Sequence, residues 1–494
     1  MSEQDLLVLG GGITGLAVAR LAARSGWSVT LIERDDLAGG ASSASSHMLH
    51  GGLRYLEHGH FSLVREALAE RAAVAHMAPA LATPVRFLAP LMRGGRVGPL
   101  RLRAGLMLYD LLAGGASPSP HAMAGARQAA ALEPALATRD LRGAGLYTDL
   151  VMDDARLAML VARDAVSHGA SVHTHTDVLA LRPGASGAAG PVVEVSARDR
   201  LSGADLKLSA RVIVNATGAW TDATRTQVLR MLRPGAPDPA PLLRPSRGVH
   251  LVYPALTQRH GVVITAASDG RVFFVVPFAG RSLVGTTEVE VASPPAPGEL
   301  APSADEIRYL ASEVARVLPG AESARPLAVF AGVRPLLDAR AQVGGASREH
   351  RVLEEGPLVS VAGGKYTTFR VMARDTLAVA ALRLGRPAPE LPRVDAPLPA
   401  PLHAEADAVA LGAHAVEHEC ARTLAGVLRR RSTHWLSDDR GLGVAAEVAG
   451  AMARRLGWSA EHEREQLDGY EALVREEQSL LARALDPLHG GTHA

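Results

Sequence analysis

Cysteine is nearly absent from this chain of 494 residues. The single Cys420 excludes a disulfide framework and any multi-cysteine zinc or iron–sulfur site, and it points to a reducing compartment. Lysine is scarce as well: of 52 Lys plus Arg, only Lys207 and Lys365 are lysines. A lysine kept in an arginine background marks a place where a compact ammonium with a tunable pKa differs from a planar, permanently charged fork. Net charge is close to zero, at +1, and no Lys/Arg cluster is interleaved with aromatics, so nucleic acid is not an expected partner. No run approaches the roughly 18 apolar residues of a membrane span. The first strand pattern starts by residue 5, so no leader segment is expected either. A soluble or peripheral, cytoplasmic protein is the expectation. With 47% hydrophobic and 21% charged residues the chain is globular rather than disordered, and long enough for two or three domains.

What is present begins at once. Asp5-Leu6-Leu7-Val8-Leu9 reads as a buried strand, and Gly10-Gly11-Gly12-Ile13-Thr14-Gly15 turns it into an Ala/Leu-rich helical stretch over 15–24. A second strand, Val29-Thr30-Leu31-Ile32, closes on Glu33, 18 positions after Gly15. Gly10 permits the tight turn, Gly12 lets the backbone approach a pyrophosphate, and Gly15 lets helix and strand pack closely. The helix N-terminus offers free N–H groups and a positive dipole end to the phosphates. Glu33 can accept hydrogen bonds from both ribose hydroxyls, and its charge disfavours a 2′-phosphate. In this strand–turn–helix–strand–acid context the glycines read as a dinucleotide site rather than a structural turn.

Two later segments repeat the form. Arg211-Val212-Ile213-Val214 closes on Asn215-Ala216-Thr217-Gly218, and Val359-Ser360-Val361-Ala362 closes on Gly363-Gly364-Lys365 before a helical pattern at 366–384. Strand-to-glycine elements spread from residue 5 to residue 365 suit one cofactor extended through a whole domain; a nicotinamide site usually concentrates in one βαβ half. The combination resembles the FAD-dependent amine and hydroxy-acid oxidoreductases related to D-amino-acid oxidase. A narrower resemblance is carried by Ser42-Ser43-Ala44-Ser45-Ser46-His47-Met48-Leu49-His50-Gly51-Gly52-Leu53-Arg54-Tyr55-Leu56-Glu57. Val151-Met152-Asp153-Asp154-Ala155-Arg156-Leu157, Gly285-Thr286-Thr287-Glu288, Gly332-Val333-Arg334-Pro335-Leu336 and Gly363-Gly364-Lys365-Tyr366-Thr367-Thr368-Phe369-Arg370 follow in order. Together they resemble the signature of the flavin-dependent glycerol-3-phosphate dehydrogenase family, over residues 4–385 and again near 417–460.

The resemblance and the strand patterns imply an α/β plus α+β chain in three parts. These are a discontinuous Rossmann-like FAD-binding domain (1–75, 141–235 and 341–388), a mixed-sheet substrate-binding domain (76–140 and 236–340) and a C-terminal helical domain (389–494). A helix is expected at 156–168 and a strand near 171–181. The alternating runs at 249–253, 262–265, 272–277 and 282–285 read as strands of the substrate domain, and the Pro/Gly-rich stretches 234–245 and 292–302 as loops. The C-terminal region departs from the family. Glu417-His418-Glu419 through Arg429, with Trp435-Leu436, resembles the second half of the family's helical domain, whereas a short stretch replaces the first half. The flavin site is expected to be untouched by that departure.

Glycerol 3-phosphate is a dianion with a secondary alcohol at C2. Its oxidation needs a cationic clamp, a base at the hydroxyl and a hydride acceptor facing C2. The resemblance puts Arg54, Tyr55, His250, Thr286, Arg334, Arg348 and Lys365 at the substrate, with His250, Lys365, Arg334 and Arg54 as the catalytic set. Arg334 follows a strand end and precedes Pro335, which suits bidentate phosphate contact; a solvated arginine is the plain alternative. His250, with an ordinary pKa of about 6.5, suits a proton acceptor; a satisfied strand histidine is its alternative, and His50 and His58 compete for the role. Lys365 can hold negative charge on the flavin or polarise the C2 oxygen. For the cofactor the resemblance implies Gly10, Gly12, Thr14, Gly15, Glu33, Arg34, Ser42, Ser43, Ser45, Ser46, His50, Gly51, Gly52, Leu53, Val178, Ala216, Thr217, Gly218, Gly364, Lys365 and Thr367. The serines read as cofactor ligands, since no His/Asp pattern supports a nucleophile. No metal is expected.

The resemblance thus implies oxidation of sn-glycerol 3-phosphate to dihydroxyacetone phosphate with FAD, electrons passing to membrane quinone. An O2-using oxidase, an amine or amino-acid oxidase and a non-enzymatic flavoprotein are the competing readings; several converging cations favour a phosphate dianion over a carboxylate. Segment 91–112 joins Arg93, Arg96, Arg101 and Arg103 to Leu100, Leu102, Leu106, Met107, Leu108, Leu111 and Leu112. It suits peripheral contact with anionic lipid on the cytoplasmic face of the inner membrane; a packed helix with solvated arginines is the alternative. A homodimer is compatible with the sequence.

Overall fold

The computed structural model describes residues 2–115, 117–184, 190–295, 300–338, 350–402 and 407–486. At its centre lies the strand Ser2–Leu9, in which Leu6, Leu7 and Val8 are fully buried. A strand apolar on both faces needs cover on both, the condition met by parallel sheets flanked by helices. Its parallel neighbours are Val29–Ile32 and Asp205–Asn215. The sheet runs His350–Glu355, Leu358–Gly363, Asp205–Asn215, Ser2–Leu9, Val29–Ile32, Ser171–His173, and the antiparallel pair Thr176–Pro183 and Val193–Asp199 joins it at Asp205–Asn215. Helices Ile13–Arg24, Asp154–Ser167 and Phe369–Leu384 cover one face, packing Leu16, Leu157, Phe369 and Leu377 with Leu6 and Val8. On the other face Leu7 and Ile213 meet Val228 of helix Thr221–Leu232. Each fully buried Leu or Val contributes about 1.5–3 kcal/mol, so packing fixes where the glycine turn sits.

The second sheet holds Ser246–Pro254 between Ala328–Arg334 and Arg281–Gly285, followed by Val272–Phe278, Gly261–Thr265, Ala82–Met92 and Leu141–Met152. The four strands expected between 249 and 285 are all present, each slightly longer than its apolar pattern. One boundary moves. Leu141–Met152, assigned to the cofactor domain from sequence, pairs along Ala82–Met92 in the second sheet. Almost all its residues are buried, a pattern that fits the interior of either sheet and carries no label for which. Met48–Leu49, within the first segment of the cofactor domain, also pairs there. The strand expected near 171–181 is broken at Thr174 and His175 into Ser171–His173 and Thr176–Pro183, His175 having φ +52°.

Helices Ala408–Glu419, Leu424–Arg430, Leu442–Leu456 and Ala460–Leu485 pack about Leu411, Val427, Val448 and Tyr470. The last reaches the core of the second sheet with Leu481 and Ala484. Among the described residues no helix is long and apolar enough to cross a membrane.

Candidate active site

A cavity of about 1750 Å³ is lined by strand ends of both sheets. At one end stands the glycine turn. Gly10 has φ +104°, and a Cβ there would lie 2.7 Å from the Ala216 carbonyl oxygen, so two strand ends meet only because the residue is glycine. Gly12 caps helix Ile13–Arg24, and a Cβ on it would meet only Ser42 Oγ, at 3.2 Å: it is an open cradle under the helix N-terminus. Ser42 Oγ accepts from Ile13 N–H at 2.9 Å. Glu33 Oε2 accepts from Gly11 N–H at 2.6 Å and Oε1 from Asp35 N–H at 2.8 Å. Burial, reinforced by the charges of Asp35 and Asp36, raises its pKa against those hydrogen bonds. Each carboxylate oxygen keeps a second lone pair for a ribose hydroxyl.

Most of the expected cofactor residues line this one cavity, namely Gly10, Gly12, Thr14, Glu33, Arg34, Ser42, Ser45, Ser46, His50, Gly52, Leu53, Val178, Ala216, Thr217, Gly218, Gly364, Lys365 and Thr367. Gly15, Ser43 and Gly51 stand behind the wall instead. A Cβ on Gly15 would collide with the Gly10 carbonyl, Ser43 Oγ donates to Ala38 O at 2.7 Å, and Gly51 N–H donates to Tyr109 Oη at 2.8 Å. These three shape the wall without facing the space. Ser45 Oγ donates to Asp154 Oδ2 at 2.6 Å and anchors the serine turn. His50 is held neutral, its pKa lowered to about 4 by burial and then by Lys365 and Arg71.

The other end collects cations and an imidazole. Arg334, last residue of Ala328–Arg334, donates through Nη2 to Thr286 Oγ1 at 2.6 Å and through Nη1 to Thr287 O at 3.2 Å. It lies over Gly248, where a Cβ would come within 2.7 Å of the guanidinium carbon. His250 lies over Gly285 in the same way, stacks on Phe330 at 4.9 Å between centroids, and has Nε2 2.9 Å from Ser46 Oγ. Burial, then Arg334 and His47, hold its pKa well below 6.5. Its Nδ1 is buried without a hydrogen-bond partner among the described residues. Lys365 Nζ sits 3.4 Å above the Tyr55 ring, a cation–π contact beside Gly52. The side chains of Arg54 and His58, and all of Arg348, lie outside the described residues. His250, Arg334, Thr286, Tyr55 and Lys365 therefore share one space with the glycine turns. Such a set can hold an anion and take a proton from a neighbouring hydroxyl.

Three features escaped the sequence reading. Ser46 pairs with His250 across 204 positions. Behind Gly51, Tyr109 Oη donates to Asp149 Oδ1 at 2.9 Å and Arg71 Nη1 lies 2.5 Å from that oxygen; burial, opposed by Arg71, raises Asp149 to about 6. Arg430 of the C-terminal region also lines the cavity, a contribution that no local pattern announced. Only tertiary contact reports any of the three, since no local spacing links the partners.

Residues 5–369 match the family described as FAD dependent oxidoreductase. Glycerol-3-phosphate dehydrogenase 2 of Mycobacterium tuberculosis is 40% identical over 390 residues, covering 76% of this chain and 63% of that protein. The mitochondrial glycerol-3-phosphate dehydrogenase of Homo sapiens is 34% identical over 401 residues, covering 77% and 53%. The chain thus spans less than two thirds of the length of these curated relatives. Among solved structures, glycerol-3-phosphate dehydrogenase of Bacillus halodurans complexed with FAD aligns over 99% of this chain and 97% of its own, with a TM-score of 0.71 at 23% identity, a likeness of fold.

Proposed function

The chain belongs to the FAD-dependent oxidoreductase family, and we propose that its reaction is the oxidation of sn-glycerol 3-phosphate to dihydroxyacetone phosphate. The cofactor fits: the open cradle at Gly12, the Glu33 carboxylate and the glycines 52, 218 and 364 face one continuous cavity, as an extended dinucleotide needs. The observation that carries the substrate is the presence of Arg334, Lys365 and a neutral His250 in that same cavity. An amino-acid carboxylate asks for one cation, whereas a phosphate dianion suits two or more.

FAD, when bound, supplies the hydride acceptor. The chain's residues do the rest. Arg334, oriented by Thr286 and the Thr287 carbonyl, holds the phosphate with a fixed fork. Lys365, steadied on Tyr55, brings a second positive charge towards the alcohol oxygen or the flavin edge. His250, kept neutral by burial, receives the hydroxyl proton, and Ser46 fixes which way the ring faces.

For the acceptor of the electrons we favour a quinone in the membrane. Helix Pro99–Ala113 supports this: Leu102, Leu106 and Leu108 line the cavity, while Leu100, Met107 and Leu111 are exposed on its outer side. Anaerobic titration with glycerol 3-phosphate tests the reaction, since stoichiometric bleaching of oxidised flavin is expected and bleaching by amino acids alone would overturn it. Reoxidation by a soluble quinone analogue should then outpace reoxidation by air.

A further inference from the structure

The loop that follows Glu33 is held from two sides. Within it, Ala38 N–H donates to Gly11 O at 2.9 Å, tying the loop to the glycine turn. From the opposite side the C-terminal helices grip Asp36, whose side chain is 2% exposed. Arg431, fully buried, donates through Nη1 to Asp36 Oδ2 at 2.6 Å and through Nη2 to Oδ1 at 2.8 Å. Arg431 is itself fixed by the carbonyls of Glu419 and Gly426, each at 2.8 Å. Helix Leu424–Arg430 lies so close that a Cβ on Gly426 would strike Asp36 Oδ2. The carboxylate stays ionised, since Arg431 and Arg430 outweigh the burial that pushes it up.

Arg430 differs from its neighbour. It shares Asp36 Oδ2 at 2.7 Å through Nη2, yet it is 20% exposed and lines the cavity beside Arg34, Asp35 and Asp36. Its Nη1 makes no hydrogen bond among the described residues. Arg431 thus completes a structural pair, whereas Arg430 is left with a donor for something in the cavity.

We propose that the C-terminal helical region completes the cofactor site, with Arg430 as a direct ligand of the dinucleotide on the Glu33 side and the Arg431–Asp36 pair as its anchor. The proposal rests on FAD occupying the cavity. The anionic pyrophosphate and the ribose oxygens are the groups that a guanidinium recognises there. Because docking and cofactor binding share this contact, each must strengthen the other equally.

The test is FAD affinity of the full chain, read by quenching of flavin fluorescence on addition of apoprotein. Arg430→Gln keeps the Arg431–Asp36 pair, so the FAD-free protein should still fold, with a small fall in unfolding temperature from the lost contact to Asp36, while its Kd for FAD rises about ten-fold, as expected for one lost charge-assisted hydrogen bond. Arg430→Lys should recover part of the loss. Asp36→Asn should weaken binding further and also lower the unfolding temperature of the apoprotein. FAD should slow hydrogen exchange in 408–430 of the wild type and do so less in Arg430→Gln. Wild-type affinity in Arg430→Gln overturns the proposal and leaves the cofactor reading standing. A wild-type chain that binds no FAD overturns both.

Discussion

The Ser46 hydroxyl meets His250 Nε2 at 2.9 Å, and the ring's other nitrogen has no hydrogen-bond partner among the described residues. One hydroxyl therefore fixes the tilt of an imidazole that also stacks on Phe330 and lies over Gly285. Ser46→Ala should lower kcat by roughly 2–12-fold, the worth of one ordinary hydrogen bond, with flavin content and KM little changed. Loss of flavin alongside activity would assign Ser46 to the cofactor scaffold.

The pH dependence follows from how His250 is held. Burial, aided by Arg334 and His47, keeps the ring neutral well below 6.5. A base is active unprotonated, so the acid limb of kcat should lie well under 6.5. A limb near 6.5 that disappears in His250→Gln would contradict a buried neutral base.

Stability runs through the same histidines. Once unfolded, His50 and His250 take up protons near 6.5, whereas folded they resist until about 4 for His50 and still well below 6.5 for His250. The folded chain then binds fewer protons, so this contribution, complete above 6.5, is lost as pH falls through the folded values. Asp149 and Asp153, raised to about 6, act oppositely: what they contribute is present at low pH and fades as pH climbs through 6. His50→Gln apoprotein should therefore lose less unfolding temperature between pH 6.5 and 5 than the wild type; equal losses would contradict the assignment.

Arg334 is fixed by Thr286 and the Thr287 carbonyl before any substrate arrives. Arg334→Ala should raise KM for glycerol 3-phosphate on the order of 10–150-fold, the loss of a charge-assisted contact worth roughly 1.5–3 kcal/mol. Glycerol, lacking the phosphate, should be affected little. Equal penalties on both substrates would make Arg334 a structural residue.

The glycine turn at one end of the cavity was legible because its residues are contiguous. Gly10 through Gly15 and Glu33 belong to one strand–turn–helix–strand unit, and backbone geometry alone assigns each its task. The strands between 246 and 285 were legible from their alternation. Leu141–Met152 was misassigned because a strand buried on both faces looks alike in either sheet. The Ser46–His250 and Asp36–Arg430 pairs were hidden for a different reason: 204 and 394 positions separate the partners, and nothing local in either segment names the other. The need for glycine at positions 248 and 285 was likewise hidden, since it comes from the arginine and histidine lying over them.

At Gly12 a side chain would project into the cradle rather than strain the backbone, whose φ of −74° any residue can adopt. Gly12→Val should therefore yield a folded, colourless protein with an unfolding temperature near that of wild-type apoprotein. Normal flavin content in this variant would remove the glycine turn from the cofactor site.

Helix Pro99–Ala113 presents Leu100, Met107 and Leu111 at helical spacing on its outer side, with Leu100 at 82% and Leu111 at 75% exposure. Arg103 on the helix and Arg93 and Arg96 in the segment before it are exposed. Exposed apolar residues together with arginines suit a surface that rests on anionic lipid, the leucines below the headgroups and the arginines among them. The inner side of the same helix gives Leu106 to the cavity and Tyr109 to the Gly51 turn, so docking there would bring a lipid-borne acceptor against the wall of the active site. Co-sedimentation with vesicles containing anionic phospholipid should be strong at low salt and weaken at high salt, where screening shortens the reach of the arginines. Leu100→Asp/Leu111→Asp should abolish it at both, while flavin bleaching by glycerol 3-phosphate stays at the wild-type rate. Undiminished sedimentation in that double variant would place the lipid contact elsewhere on the molecule, and wild-type protein left in the supernatant at either salt would favour an acceptor taken from solution, such as O2.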